Sequence, residues 1–417
     1  HNVSCHRNRH TPVLRIRNML VQKLNQMIRQ NLKTYTMILA LALIWLFFGF
    51  MTDWIFFSSR NLSNLFRQMT IVSFLSIGMV MVIVTGNIDL SVGSVVGLVS
   101  AITAYLQAVM LPPLLDSLIP GADILTRGLL NTGITIVIGL LVGIIIGVWQ
   151  GWVVAYLGVP AFIVTLGGML IFRGGVLGVT QGKTIVPIED SFRLIAQGYL
   201  PVNVGFALGI GAVLFLFFMT MRNRKLRKEY GFDQSPLYID LLKAGFFSSV
   251  IMAFVFMMNS YRGIPNPVLL MAVVAIIFTY ITNHTKLGRH AYALGGNAEA
   301  TRLSGINIRR NIFTVFVLMG LLCGVSGIVL TGYVAAGTTG GGVNYELEAI
   351  AACVIGGTSL MGGEGKIFGA LVGSLIMASL LNGMSVMNMP IFWQFIIRGL
   401  VLILAVYLDV LSKKKKA

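Results

Sequence analysis

The chain has 417 residues, of which 56% are hydrophobic and 11% charged, with a mean hydropathy of +0.85. Soluble domains carry about 25% charged residues, and the apolar runs here are too long for a single packed core, so a soluble enzyme or binding module is excluded. The formal net charge of +17 does not point to nucleic acid, because the basic residues fall between apolar runs, where the positive-inside bias places them.

Residues 1–36 form a basic tail without a single acid. Within it Leu14, Ile16, Leu20, Leu24, Met27 and Ile28 recur at near-helical spacing opposite Arg15, Arg17, Lys23 and Arg29, which predicts an amphipathic helix lying on the membrane surface. The first dozen residues read equally well as an unstructured tail. Beyond the tail, spans of the required length, roughly 20 residues, are expected at 37–57, 68–86, 92–111, 130–150, 160–180, 202–221, 241–258, 267–283, 312–333, 366–384 and 391–408. A shorter glycine-rich stretch at 346–361 is either a full crossing, giving twelve, or half of a re-entrant pair with 366–384, giving ten.

Charge sets the orientation. The basic clusters are the tail from Arg15 to Lys33, the run from Arg222 to Lys228, the stretch from Lys286 to Arg310, and Lys413 to Lys416. Alternation from an inside start puts all four on one side with either count. The expected fold is therefore an all-α polytopic membrane protein with about 10–12 transmembrane helices, at least one of them broken or re-entrant, and both termini cytoplasmic. Its parts are the tail 1–36, the transmembrane domain 37–410 with a cytoplasmic loop at 284–311, and a second basic tail at 411–417. Forty-seven glycines against 11 prolines suit close helix packing in lipid. Cys5, Cys323 and Cys353 lack the number and spacing of a disulfide framework or a zinc site.

Three constellations carry chemistry. In Gly86-Asn87-Ile88-Asp89-Leu90-Ser91-Val92-Gly93-Ser94, Asp89 is an acid close to membrane depth, either a cap that starts the third span or a group on a pathway. Around Gly356-Gly357-Thr358-Ser359-Leu360-Met361-Gly362-Gly363, paired glycines suggest a broken helix, and equally a close-packed one. The placing of these two turns in the two halves hints at an internal repeat. In the cytoplasmic loop, Gly295-Gly296 leads into Asn297, which can cap a two-turn helix from Ala298 to Ser304 that Gly305 closes. Ala300, Leu303 and Ile306 lie near one face of it, suited either to docking on another protein or to a solvated loop.

A nucleotide-hydrolysing loop is missing. Gly178-Val179-Thr180-Gln181-Gly182-Lys183-Thr184 is one residue short of the phosphate-binding pattern and falls on the external side, and Gly363-Glu364-Gly365-Lys366 lacks its spacing and hydroxyl. Nor is there a Ser-His-Asp, paired-carboxylate or His-Glu-x-x-His pattern for intramembrane catalysis. The competing transport class is an ion-coupled secondary carrier acting alone, with Asp89 as its proton or sodium site.

From about residue 37 to 410 the chain resembles the permeases of bacterial ABC importers for monosaccharides, the ribose, xylose, galactose and arabinose group. The resemblance rests on Ser63-Asn64-Leu65, the Gly86–Ser94 turn, Phe162-Ile163-Val164-Thr165-Leu166-Gly167-Gly168-Met169, and Gly295-Gly296-Asn297 with Ser304-Gly305-Ile306. Phe172-Arg173-Gly174, Tyr261-Arg262-Gly263-Ile264-Pro265, Ile355-Gly356-Gly357-Thr358-Ser359-Leu360, Asn382-Gly383-Met384-Ser385 and Phe392-Trp393-Gln394 make it most similar to the xylose-type branch. The resemblance implies an inner-membrane subunit that is not itself an enzyme and binds no cofactor. ATP and Mg would sit on a partner ATPase, a periplasmic or lipid-anchored sugar-binding protein would deliver a monosaccharide from outside, and a second permease copy would complete the pathway. It also implies that Gly295, Gly296, Asn297, Ala300, Leu303, Ser304, Gly305 and Ile306 couple to the ATPase. Asn87, Asp89, Ser91, Gly356, Thr358, Ser359 and Asn382 are the translocation-pathway candidates.

Overall fold

A computed structural model of the chain describes residues 32–232 and 236–414. The amphipathic helix expected in the N-terminal tail lies outside these residues. The described chain is helical, with two isolated bridges, Ile185 to Gly337 and Tyr199 to Pro265, as the extended pairings among the described residues. The helices are α1 (Leu32–Met51), α2 (Ser59–Val84), α3 (Val92–Leu118), α4 (Ile124–Ala155), α5 (Ala161–Thr180), α6 (Asp190–Gln197), α7 (Val202–Glu229), α8 (Leu237–Asn259), α9 (Asn266–His284), α10 (Lys286–Gly296), α11 (Ala298–Leu303), α12 (Ile308–Val334), α13 (Tyr345–Ile355), α14 (Ile367–Val386) and α15 (Ile391–Lys414). Ten of them are long and apolar enough to cross a membrane, and α1 adds the shorter apolar stretch Thr36–Met51.

Several boundaries differ from the sequence expectation: α3 runs on to Leu118, α4 covers Ile124–Ala155 and α7 runs on to Glu229, and two further differences have a local cause. The span expected at 37–57 stops at Met51, because Asp53 and Trp54 adopt positive φ (48° and 65°) and turn the chain. The span expected at 68–86 begins at Ser59 instead: Ser58 Oγ accepts the Asn61 N–H at 3.3 Å and starts the helix a full two turns earlier, through polar residues that hydropathy alone discounts.

α2 is the axis of the bundle. Its apolar side chains are almost all buried, and its serines tie it to its neighbours. Ser374 Oγ on α14 donates to Ser76 Oγ at 3.0 Å, and Ser326 Oγ on α12 donates to the Ile71 carbonyl at 2.9 Å. Lipid offers no hydrophobic drive for helix association, so close backbone approach has to supply the contact. α4 and α12 achieve it through Gly143, Gly147, Gly320 and Gly324. A Cβ on Gly143 would collide with the Gly320 carbonyl, and one on Gly320 with the Gly143 carbonyl. α3 bends through a π-helical turn at Leu106–Met110. The Gln107 carbonyl within that turn accepts from Asn131 Nδ2 at 3.1 Å, while Gln107 Nε2 reaches Thr135 Oγ1 at 3.0 Å. α7, α8 and α15 lie at the periphery with most side chains exposed, as lipid-facing helices require.

The stretch at 346–361 is neither a helical span nor half of a re-entrant pair. α13 has 11 residues, about 16 Å at 1.5 Å per residue and too short to cross, whereas its expected re-entrant partner α14 is a full 20-residue span. The chain nevertheless crosses here. α12 starts beside α10, where Asn311 Nδ2 donates to the Leu287 carbonyl at 3.1 Å, and runs to Val334 at the other face. The chain then returns in irregular form down the side of α3. Gly337 packs on Ala104, Gly341 on Gly97 and Gly342 on Gly93, and α13 carries it on until Gly363 N–H meets the Val84 carbonyl at 2.9 Å. Residues 335–355 are thus one broken crossing, half irregular and half helical. The ten longer helices, with α1 and this broken passage as two shorter candidates, fall within the ten to twelve crossings expected.

The glycine contact between α4 and α12 gives a direct test. Gly320→Val should destabilise the bundle by about 1–3 kcal/mol or more through overpacking, read as a lower melting temperature in detergent. Gly211→Ala on α7, where an added Cβ meets nothing within 4 Å, should be neutral or stabilising by up to about 1 kcal/mol.

Candidate functional site

The three glycine constellations singled out in the sequence meet at one end of the bundle. Gly295 at the end of α10 presses on the end of α2, where a Cβ would strike the Val84 carbonyl and the Gly363 N–H. Gly362 and Gly363, both at positive φ (89° and 72°), lie against Gly295, Gly296 and the Gly86 N–H. Tyr292 Oη donates to the Gly365 carbonyl at 2.7 Å. Burial pushes the Tyr292 phenol above its ordinary value, so it stays a donor across the physiological range. Only glycines allow three backbones to approach this closely.

From this junction hangs α11. Asn297 Oδ1 accepts the Ala300 N–H at 2.9 Å, and Gly305, at φ 77°, turns the chain into Asn307, whose Oδ1 caps α12 by accepting the Arg310 N–H at 2.9 Å. Its inner face carries the buried Thr301, whose hydroxyl donates within the helix to the Asn297 carbonyl at 2.7 Å. Outward it presents Ala300, Ser304 and Leu303, the last 77% exposed, while Ile306 is half-buried. Met361, 78% exposed, projects from the neighbouring loop that carries Gly362 and Gly363. An apolar side chain this exposed, outside the helices that lipid covers, is suited to burial against another protein.

Above the junction, the Asp89 turn is a buried brace. Asp89 is 2% exposed, and its Oδ1 accepts from Ser91 N–H at 2.9 Å and Ser91 Oγ at 2.7 Å. Gln150 Nε2 of α4 donates to Ser91 Oγ at 2.7 Å. Asp89 thus closes a turn on Ser91 just ahead of α3 rather than capping the helix, since Ser91 makes no side-chain cap bond, and α4 adds a support. Asn87, half-buried, donates to Thr85 Oγ1 at 3.0 Å. In the other loop Gly356 packs on the Gly369 backbone, and Thr358 is fully buried with its N–H donating to the Cys353 carbonyl at 2.9 Å. Ser359 Oγ accepts the Met361 N–H at 3.2 Å. Asn382 is not part of this cluster. It accepts from Asn61 Nδ2 at 2.8 Å at the opposite end of α2.

The sequence reading missed two features. One is a charged cluster within the bundle at the head of α13. Arg398 of α15 donates to Glu348 Oε1 at 2.6 Å, and Arg173 of α5 donates to the Gly341 carbonyl at 2.9 Å beside the buried Glu346. Two carboxylates at the start of an apolar stretch were the available signal, since intramembrane charges are costly and need partners. The other is a cavity of about 410 Å³ at the face opposite α11, lined by Arg60, Asn61, Asn64, Arg67, Tyr199, Tyr261 and Arg262. Arg67 donates to Asn64 Oδ1 at 3.2 Å and to Tyr199 Oη at 3.3 Å, and its guanidinium lies over the rings of Tyr199 and Tyr333.

The fold is that of a polytopic all-α membrane protein with ten helices long and apolar enough to span. The chain belongs to the permease family described as "Branched-chain amino acid transport system / permease component", which matches residues 61–406. It is 43% identical over 385 residues to the xylose transport system permease protein of Haemophilus influenzae, covering 92% of this chain and 98% of that one. It is 41% identical to the xylose transport system permease protein of Escherichia coli K12, covering 92% and 93%. To the ribose import permease protein of the same strain it is 34% identical, covering 85% and 87%. No solved structure matches the chain. These relatives are permease components of transport systems, which does not favour a carrier acting alone.

The buried pair within the bundle is testable by a double-variant cycle. Glu348→Gln and Arg398→Met should each cost about 3–5 kcal/mol by leaving a lone charge among apolar groups, and the double variant should recover a large part of the loss. Thermal unfolding of the four purified proteins in detergent measures it.

Proposed function

We propose that this chain is the membrane-spanning subunit of an ATP-driven importer and that its cargo is a monosaccharide, a pentose such as xylose. The observation that carries the reading is α11: a short, doubly capped helix with an exposed Leu303, welded through glycine contacts to the end of α2 and to the loop that closes the broken crossing. Such a piece is a handle for a partner, and the chain's sequence lacks a phosphate-binding loop of its own. The family's description speaks of branched-chain amino acids, whereas the relatives at 43% and 41% identity are xylose permeases, and they support the sugar assignment.

In this reading the α11 face is cytoplasmic, together with both tails and the basic end of α7, in keeping with the positive-inside bias. Gly295, Gly296, Asn297, Ala300, Leu303, Ser304, Gly305 and Ile306 form the docking element for an ATPase that carries ATP and Mg. Asn87, Asp89, Ser91, Gly356, Thr358 and Ser359 build the cytoplasmic floor of the pathway, and Asn382 belongs to its far end. A binding protein delivers sugar at the opposite face, where the cavity around Arg67 lies. Two copies of the permease enclose the route.

The reading is tested in proteoliposomes that contain the chain, its neighbouring ATPase and its binding protein. Uptake of radiolabelled xylose should require ATP and all three components. ATP-insensitive uptake by the chain alone, abolished by an uncoupler, would establish an ion-coupled carrier instead. Within the working system, Leu303→Asp should lower uptake by more than about tenfold, the effect of losing about 1.4 kcal/mol of docking. Melting temperature and membrane insertion should be unchanged, since Leu303 touches little of its own chain.

A further inference from the structure

The irregular half of the broken crossing is the part of the molecule hardest to reconcile with hydrocarbon. It is bounded by two non-glycine residues in the left-handed region, Ala335 (φ 56°) and Asn344 (φ 64°). Its depth can be read from the helices beside it. Gly341 accepts from Arg173, which lies about 18 Å from the start of α5, a helix about 30 Å long. Gly337 packs beside Ala104 and Gly342 beside Gly93 on α3. The stretch from Thr338 to Asn344 therefore runs within the membrane-spanning part of the bundle, from the level of Ala104 down to the first turns of α3.

One side of this stretch is covered, for Gly341 and Gly342 are buried against α3. The other side is open. Gly340 and Val343 are exposed, and Thr338, Thr339 and Asn344 are half-exposed. Some turns are closed internally, with Gly341 N–H donating to the Thr338 carbonyl at 3.2 Å and Val343 N–H to the Gly340 carbonyl at 3.3 Å. The N–H groups of Thr338, Thr339 and Gly340, the two threonine hydroxyls and the Asn344 amide have no hydrogen-bond partner among the described residues. A cavity of about 90 Å³ opens beside Asn344, with Glu348 and Arg398 as its other polar lining groups. Irregular backbone at this depth is tolerated only against protein or water. A dry two-fold contact with a second copy would set these N–H donors against themselves, whereas water and sugar hydroxyls both donate and accept.

We propose that the open side of Thr338–Asn344 lines an aqueous translocation pathway, where Thr338, Thr339, the Gly340 backbone and Asn344 form a polar track that carries a polyhydroxy cargo through the membrane-spanning part of the bundle. The identity of the cargo rests on the importer reading above; access of water to the track does not. The track differs from the Asp89 and Thr358 turns, whose polar groups are buried in the fold.

Single cysteines test it in membrane vesicles that contain the full transporter, with Cys5 replaced by Ser; Cys323 and Cys353 are buried. Gly340→Cys is the first probe, because a Cβ there meets nothing within 4 Å. Val343→Cys is an independent second, and Ile276→Cys, on α9 and 70% exposed, is the lipid-facing control. A membrane-impermeant methanethiosulfonate should modify the two probes at least about tenfold faster than the control, because the reactive thiolate forms only where water reaches it. Modification should block uptake, and xylose should slow modification. Rates equal to the control, or reaction only with a lipid-soluble maleimide, would overturn the proposal. A disulfide between two copies of Gly340→Cys without aqueous labelling would equally overturn it, and would assign the stretch to a dry interface. Aqueous labelling in a system without ATP-driven sugar uptake would uphold the pathway while removing the importer reading.

Discussion

Hydrocarbon cannot hydrogen-bond a peptide group, and the rest of this structure follows from that constraint. It makes nearly every crossing a continuous helix and confines polar side chains to positions where another helix meets them. Ser374 on Ser76, Ser326 on the Ile71 carbonyl and Asn131 on the π-turn of α3 are examples. It also leaves helix association to close packing, which explains why glycines line the α4–α12 contact. The broken crossing is the exception that shows the rule. Where its backbone leaves the helix, α3 covers one side and Arg173 satisfies the Gly341 carbonyl.

The glycine junction gives the exposed α11 a mechanical connection to that exception. Val84, Gly295 and Gly363 share backbone contacts, and Gly363 belongs to the short loop between α13 and α14. In the importer reading proposed above, a displacement of α11 would be passed to the end of α2 and to the base of the broken crossing at once. Tightly packed interfaces of this kind move as rigid units between discrete arrangements rather than deforming by degrees.

Much of this was legible in the sequence where the signal was local. Asn297 as a cap, Gly305 as a stop and the apolar residues of α11 needed a few neighbouring positions to be read, and the structure places them as expected. The Asp89 turn was legible as a turn ahead of α3, but the cap bond expected of Asp89 or Ser91 is not made. Long-range features were not. The polar first turns of α2 read as a loop because Arg60, Asn61, Asn64 and Arg67 depress hydropathy, yet they line a cavity completed by Tyr199 and Tyr261. Asn382 looked like a partner for the other pathway candidates but belongs to Asn61, 321 positions away. The stretch at 346–361 was recognisably marginal. What it lacked in length is supplied by irregular chain before it, and hydropathy windows do not register a crossing made without a helix.

The Glu348–Arg398 pair has a consequence for how the protein is made. α15 is otherwise lipid-facing, yet it carries an arginine that costs about 2.5–3.5 kcal/mol to insert at the centre of a lone helix. Its counter-charge lies on α13, a segment too short to hold a membrane position unaided. α15 is long and apolar enough to span alone and α13 is not, and the ion pair joins the two. During synthesis α15, which leaves the ribosome after α13, thus acts as a clasp on the bundle, and a chain truncated before Arg398 would leave an acid stranded at its core.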